Sequence, residues 1–571
     1  MKNNKSQKGM FRRTFGLYRN IRIPWPLYIL QVILGIVSTK VALLYVPYET
    51  DVKLGGVENL GAFWAFLGLL LLSVVASIAE QIPSFYASAI VSRNLQNKLI
   101  NRSVHLPMKA FESNASQMVS WITQDCDYAD GVLTTIVGFI TGIAATFMSV
   151  SKLSAIDKTM VYLVPVILVY IIFSTWLSGK LMFLRERRGR RASAELTAYL
   201  SEHLGFFTQI KQLHSGAEEI RRGKEAIQKN YLADIYQSSL TLIGGLVSGS
   251  LTNVITILVF VLGIAKVNDG SIELAELAAF QSYILLAYQS LSSLPSLYTS
   301  LMYYNGRLFY IAGLMAEKEE VYVRERSMDM EDRDLEFKNV TFSYGEKPII
   351  KGATFTIPKG KTTVIVGPNG SGKTTLFKLI ERFYTPDSGK ICFGPYDTED
   401  INLQEWRQSI AYVLQEPQLF NGTVRDNINY GMSREVSEEE TQSAARLACA
   451  DEFIKELPGG YDFVIGDNGS RLSAGQRQRI AIARAVMLDP SYLLLDEATC
   501  NMDIYSEKAV TEALFKLMKG RTTVMISHDM KTLENADHII VLNNGVVEAE
   551  GTRAEAEQNS ETLKKLIEAN A

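Results

Sequence analysis

Two unlike folds are predicted in one chain: an α-helical membrane domain of six spans, then an α/β domain. Three observations carry that expectation. Six long apolar stretches are confined to the first three hundred or so residues; basic residues gather in alternate loops between them; and after residue 335 apolar β runs alternate with helical ones around a Gly-rich strand-to-helix junction. Such alternation predicts parallel strands joined by crossover helices. At 571 residues the chain is too long for one hydrophobic core, and its mean hydropathy of +0.06 averages an apolar half with an ordinary soluble one.

A membrane-crossing helix needs about 20 mostly apolar residues, because lipid offers backbone polar groups no partner. The six stretches lie near Trp25–Tyr48, Leu60–Pro83, Val132–Lys152, Met160–Lys180, Leu242–Val267 and Leu274–Met302. Lys40, Glu80 and Gln281 fall inside or at the ends of these stretches, and ionisable groups there face a cavity or a partner helix in preference to lipid. Met1–Arg22 is polar and basic, and the apolar run after it is too long for a cleaved signal peptide. It reads as an anchor that stays.

Loop charge sets the orientation. Lys2, Lys5, Lys8, Arg12, Arg13, Arg19 and Arg22 precede the first span; Arg93, Lys98, Arg102 and Lys109 follow the second; Lys180, Arg185, Arg187, Arg188, Arg190 and Arg191 follow the fourth. The loops after spans one and five carry Glu49, Asp51, Glu58, Asp269, Glu273 and Glu276 instead. Cytoplasmic loops hold the basic excess, so both termini are expected in the cytoplasm of a multi-pass cell-membrane protein. The long cytoplasmic segments Ser84–Gly131 and Leu181–Leu240 carry charge at helical spacing, as in Glu218, Glu219, Arg221, Arg222, Lys224 and Glu225, and read as helices running beyond the membrane. The expected domains are residues 1–22, a cytoplasmic segment; 23–314, the membrane domain; 315–334, a charged linker; and 335–571, the α/β domain.

Net charge is −3, from 58 basic and 61 acidic residues, so no global field points to nucleic acid. Cys126, Cys392, Cys449 and Cys500 are scattered without metal-ligand spacing and read as free thiols.

The chemistry gathers at three places. Gly367, Pro368, Asn369, Gly370, Ser371, Gly372, Lys373, Thr374 and Thr375 run between the apolar β stretch Thr362–Val366 and the helical stretch Leu376–Tyr384. Glycines let the backbone curl until successive N–H groups converge on phosphate oxygens, and the helix N-terminus adds its positive end. In such a loop Lys373 reaches the β- and γ-phosphates and the Thr374 hydroxyl binds Mg²⁺. The second place is the strand Tyr492–Leu495 ending in Asp496 and Glu497. Paired carboxylates at a strand end suit Mg²⁺ coordination through water, by Asp496, and polarisation of an attacking water, by Glu497. The third is Leu472, Ser473, Ala474, Gly475 and Gln476, leading into the helical run Arg477–Met487. By itself this is an N-cap with Ser473; beside a complete phosphate loop it reads as a clamp for a nucleotide held elsewhere.

These three features, in this order, resemble the ATP-binding cassette (ABC) transporter family, and the resemblance extends over the whole chain. It implies an exporter-type membrane domain followed by an α/β P-loop ATPase domain. It also assigns roles that the residues alone do not. Tyr344 would stack on adenine; Gln415 would sense Mg²⁺ and the membrane domain; Ser473, Gly475 and Gln476 would sit at the signature that grips ATP across a head-to-tail dimer. Asp503 would join the two sites, and His528 would be the switch histidine. Residues near Ser113–Val119 and Phe206–Ser215 resemble the two coupling helices of the cytoplasmic loops. The sequence departs from the family pattern at Ala474, where glycine is usual, at Cys500, Asn501 and Met502, and at Asp467, where glutamate is usual.

The resemblance implies an ATP- and Mg²⁺-dependent exporter subunit in a lipid bilayer, paired with a second half-transporter. Glu497 is intact, so the chain is either a homodimer protomer or the undamaged half of a heterodimer. The cargo is unknown, with an amphipathic small molecule, lipid or peptide favoured. Alternatives are an importer on the same fold, as for siderophores, and an ATP-dependent regulator that moves no cargo. In the last span Gln281, Tyr288, Ser292 and Thr299 fall at spacings near seven and four, so they could share one cavity-facing stripe, the competing reading being helix packing.

Overall fold

The computed structural model describes residues 14–19, 21–55, 60–112, 115–173, 205–322, 333–497, 504–527 and 530–570, with isolated positions inside 174–204. They divide into two compact units, one drawn from Met1–Val104 and Asn114–Glu317, the other from His105–Ser113 and Lys318–Ala571.

The first unit is helical. Its long helices are α1 (Trp25–Gly55), α2 (Leu60–Val104), α3 (Tyr128–Ile156), α4 (Gly216–Asn268) and α5 (Leu274–Ala316). Among the described residues three helices are long and apolar enough to cross a membrane, Trp25–Leu54, Leu60–Val104 and Asp125–Ile156, while Met160–Phe173 and Thr252–Asn268 are shorter apolar helices. The 45 residues of α2 extend about 68 Å, more than twice a hydrocarbon layer of ~30 Å. The 53 residues of α4 extend about 80 Å, and its charged first turns are continuous with its apolar end. Both helices are longer than a hydrocarbon layer is thick. Arg221 there pairs with Glu218 at 2.7 Å and Glu225 at 2.5 Å on an exposed face, a solvated helix surface. The short helices Ala115–Thr123 and Phe207–Gln212 fall at the two loop segments singled out in the sequence.

The stripe expected on the last span is not a free one. Gln281 Nε2 donates to Thr256 Oγ1 of α4 at 2.9 Å, and Tyr288 packs against the cluster of Val46, Ile255, Phe280 and Ile284. The amide nitrogen is satisfied there and the ring is packed, while Gln281 Oε1 is buried with no hydrogen-bond partner among the described residues. Ser292 is exposed, and the side chain of Thr299 lies outside the described residues.

The second unit has two sheets. A four-stranded antiparallel sheet runs β2 (Lys347–Ile357), β1 (Leu335–Tyr344), β4 (Ser388–Phe393), β5 (Tyr396–Asp397). A six-stranded sheet runs β10 (Val546–Gly551), β9 (His538–Asn543), β3 (Thr362–Val366), β8 (Thr522–Ile526), β7 (Tyr492–Asp496), β6 (Ile410–Val413). All its pairings are parallel except β9 with β10. Helix α6 (Lys373–Ile380) lies between the sheets, its Leu376, Phe377 and Ile380 buried against Phe337, Phe355 and Trp406. The fully buried Trp406 fixes the far end of α6 by donating its indole N–H to the Ile380 carbonyl at 2.7 Å. That bond satisfies one of the carbonyls a helix end leaves open.

Just past α6 the Glu381 carboxyl is 8% exposed, and burial pushes its pKa up to about 7, against the opposing charge of Arg407. Arg407 itself is held by Glu320 at 2.8 Å and by the Arg382 carbonyl at 3.1 Å. A carboxyl whose folded pKa lies above its unfolded one costs nothing below the unfolded value; the penalty then grows with pH and is complete above about 7. Glu381→Gln removes it. The variant is expected to melt higher than wild type at pH 8 by the equivalent of roughly 3 kcal/mol, with the gain shrinking toward zero near pH 4. Thermal melts of both proteins across that range check the sign.

Candidate active site

The site is built at the carboxyl ends of β3, β6 and β7, where ligands gather in parallel sheets. The turn after β3 needs glycine at two points. Gly367 has φ 154°, and a Cβ there would meet the Leu542 carbonyl oxygen at 1.9 Å. Gly372 has φ 106° and caps α6, with a Cβ meeting Ile350 Cδ1 at 2.8 Å. No other residue folds this loop without strain. Ser371 is 3% exposed and its hydroxyl has no hydrogen-bond partner among the described residues. A buried orphan hydroxyl in a glycine-lined cradle at a helix N-terminus is a fitting donor for a phosphate oxygen.

Lys373 is 7% exposed, with Nζ donating to the carbonyls of Gly367 at 2.7 Å and Pro368 at 3.0 Å. Its own loop thus holds the ammonium. Burial lowers its pKa, and the carboxylates of Glu497 and Asp496 oppose that.

Those carboxylates arrive from β7. Burial raises the Asp496 pKa; Tyr412 and Thr374 hydrogen bonds and the Lys373 charge pull it back, while Glu497 adds to the rise. Tyr412, on β6, donates its hydroxyl to Asp496 Oδ2 at 3.0 Å. It sits opposite Leu494 in the parallel register, so its ring reaches diagonally along the same face to residue 496. No motif marks Tyr412; its apolar strand gave no hint beyond an aromatic near a strand end.

Glu497 follows with φ 44°, a left-handed conformation unusual outside glycine, Asn and Asp. Its N–H donates to the Ile526 carbonyl at 3.1 Å, and Gln415 Nε2 donates to its Oε2 at 3.0 Å. Gln415 is thus bonded to Glu497 and Thr374 to Asp496, with the Lys373 ammonium within electrostatic reach of both carboxylates. The Thr374 hydroxyl, the Asp496 carboxylate and the Gln415 amide oxygen form an all-oxygen donor set, which fits Mg²⁺.

Ser473, Gly475 and Gln476 form a second element, the start of α7 (Ala474–Leu488). Ser473 Oγ accepts from Gln476 N–H at 3.3 Å, and Gln476 Oε1 accepts from Ser473 N–H at 2.9 Å, a capping box. Ser473 and Ala474 are exposed and Gly475 is buried. Ala474 is the first residue of the helix and is not among the residues with positive φ, so its methyl carries no backbone penalty. Further along, Gln478 Nε2 donates to the Leu414 carbonyl at 3.2 Å and so ties α7 to the loop that carries Gln415.

Tyr344 ends β1, half-buried, edge-on to Phe342 at 4.9 Å and Tyr384 at 5.2 Å, with Lys378 Nζ 5.6 Å from its ring centre. Asn369, Gly370 and Thr375 lie in the loop and first turn of α6 as expected. His528, Asp503 and Cys500 to Met502 lie outside the described residues. Asp467 accepts from Asn421 Nδ2 at 2.9 Å.

Residues 350–500 match a family model described as ABC transporter, and residues 29–291 match one described as ABC transporter transmembrane region. An uncharacterized ABC transporter ATP-binding protein, YfiC, of Bacillus subtilis is 28% identical over 96% of this chain and 92% of its own length. A multidrug resistance ABC transporter ATP-binding and permease protein of Lactococcus lactis is 27% identical over 92% and 90% respectively. Among solved structures, a bacterial Atm1-family ABC exporter with ATP bound superposes with a TM-score of 0.79 at 23% identity, covering 98% of each chain.

Proposed function

Because this chain belongs to the ABC transporter family, its transmembrane region and ATPase domain fused in one polypeptide, we propose that it is a half-transporter exporting an amphipathic small molecule, lipid or peptide. It works as a homodimer or as the intact half of a heterodimer, with six spans in the cell membrane and both termini in the cytoplasm. The observation that carries the reading is the gathering of Lys373, Thr374, Gln415, Asp496 and Glu497 beside a glycine-shaped phosphate loop. The relative in Lactococcus lactis, named for multidrug resistance, supports a small-molecule cargo.

ATP enters the cradle with its phosphates against the Ser371 hydroxyl and the loop N–H groups. The Lys373 ammonium exchanges two carbonyls for phosphate oxygens, and Tyr344 offers its ring to the adenine. Thr374, Asp496 and Gln415 would hold Mg²⁺, which neutralises charge building on the phosphates. Glu497 orients and polarises the attacking water. The exposed start of α7, Ser473 to Gln476, reaches the nucleotide of the partner chain, and His528 acts beside the γ-phosphate. ATP drives closure only by the affinity it gains in the closed pair over the open one.

The test is flux. In inside-out proteoliposomes, ATP is expected to drive accumulation of a fluorescent amphiphile, with no accumulation when ATP is replaced by ADP. Accumulation solely in right-side-out vesicles supports an importer, and hydrolysis without flux in either orientation supports a regulator; both overturn export.

A further inference from the structure

Glu80 is an ionisable residue within an apolar helix, and its surroundings explain why it is tolerated. It lies half-buried on α2, facing Gly35 of α1 and Thr141 of α3: a methyl placed on Gly35 would sit 2.9 Å from Glu80 Oε1 and 2.9 Å from Thr141 Cγ2. The missing side chain of Gly35 is the space the carboxylate uses. Gly35 is ten residues into α1 from Trp25, and Glu80 is three residues before Pro83 on α2, so the carboxylate lies within the apolar lengths of both helices.

Two oxygens on the neighbouring helical turns lack a donor. Among the described residues no hydrogen bond or ion pair involves Glu80. Pro83, buried three residues later, has no N–H to give the carbonyl of Ala79, leaving a peptide oxygen next to the carboxylate without its helical donor. One turn before Gly35, on the same face of α1, Gln31 is 7% exposed and its Oε1 has no hydrogen-bond partner among the described residues. A lone carboxylate with extra oxygen acceptors between apolar helices stabilises positive charge, and helices keep such groups where they serve a pathway.

We propose that Glu80 is the point in the membrane domain that binds the positive charge of a lipophilic organic cation carried as cargo. This deepens the export reading and rests on it. Tetraphenylphosphonium and tetraphenylborate have nearly the same size and opposite charge, and they serve as probes on the purified full chain in nanodiscs. Wild type is expected to bind the phosphonium more tightly than the borate and to hydrolyse ATP faster in its presence. Glu80→Gln is expected to weaken phosphonium binding by about tenfold or more, the loss of one charge-assisted contact, and to leave borate binding where it was. Glu80→Asp should restore part of it. Gly35→Ala keeps the carboxylate but crowds it, and should also weaken the phosphonium. Equal binding of the two probes by wild type, or equal phosphonium binding by wild type and Glu80→Gln, overturns the proposal. Wild-type hydrolysis without any probe, measured alongside, reports on the transport reading separately.

Discussion

Glu497→Gln is expected to lower ATP turnover by about a hundred- to a thousandfold, the usual worth of a positioned general base, while ATP still closes the dimer. The substitution keeps shape. A Gln side-chain oxygen accepts the Gln415 amide as the carboxylate does at 3.0 Å, and the backbone bond from residue 497 to the Ile526 carbonyl is unaffected. What it removes is the charge that polarises water. The left-handed φ of 44° at this position matters for the choice of variant: glycine would relax the backbone and confound the chemistry, whereas glutamine meets the same strain as glutamate. Phosphate release and nucleotide-dependent cross-linking of the purified dimer are the paired measurements. Turnover within twofold of wild type would place the base elsewhere and remove the assignment.

The phosphate loop was legible because its glycines answer a local demand, left-handed or closely approached backbone, that no neighbouring element has to supply. Asp496 was legible for a related reason, since a strand end is a position along the chain. Tyr412 was not. Its contact depends on the parallel register of β6 against β7, strands separated by some eighty residues, and one aromatic in an apolar strand carries no mark of it. Span-six Gln281 shows the opposite failure: helical spacing placed it correctly on a face, but which neighbour that face meets is decided by α4, where Thr256 takes its amide. Glu381 is a third kind. It follows a helix end where solvated carboxylates are ordinary, and only the fold buries it beside Arg407. Ala474 illustrates a question the sequence could pose without answering, because the sign of φ is a backbone fact; the helix start there tolerates a methyl.

Lys373→Ala is expected to weaken ATP binding by about a hundredfold or more, with hydrolysis falling in step. Each charge-assisted hydrogen bond to a phosphate contributes roughly 1.5–3 kcal/mol, and the ammonium reaches two phosphates. The empty loop also uses this side chain: its ammonium holds the carbonyls of Gly367 and Pro368, so alanine both deletes a ligand and frees two oxygens that then face the incoming anion. Repulsion from those oxygens is why the loss should exceed that of the contact alone. Folding offers a competing explanation, since Lys373 is 7% exposed and sits at the start of α6. The two separate in a melting experiment. Without nucleotide the variant should melt close to wild type, because alanine favours the helix and its small volume leaves the buried Leu376 and Phe377 in place. With millimolar ATP and Mg²⁺ wild type should rise through mass action on the folded state, and the variant should not. A variant that melts low in both conditions has lost the fold, and one that rises as wild type does shows that the loop grips phosphate without its lysine.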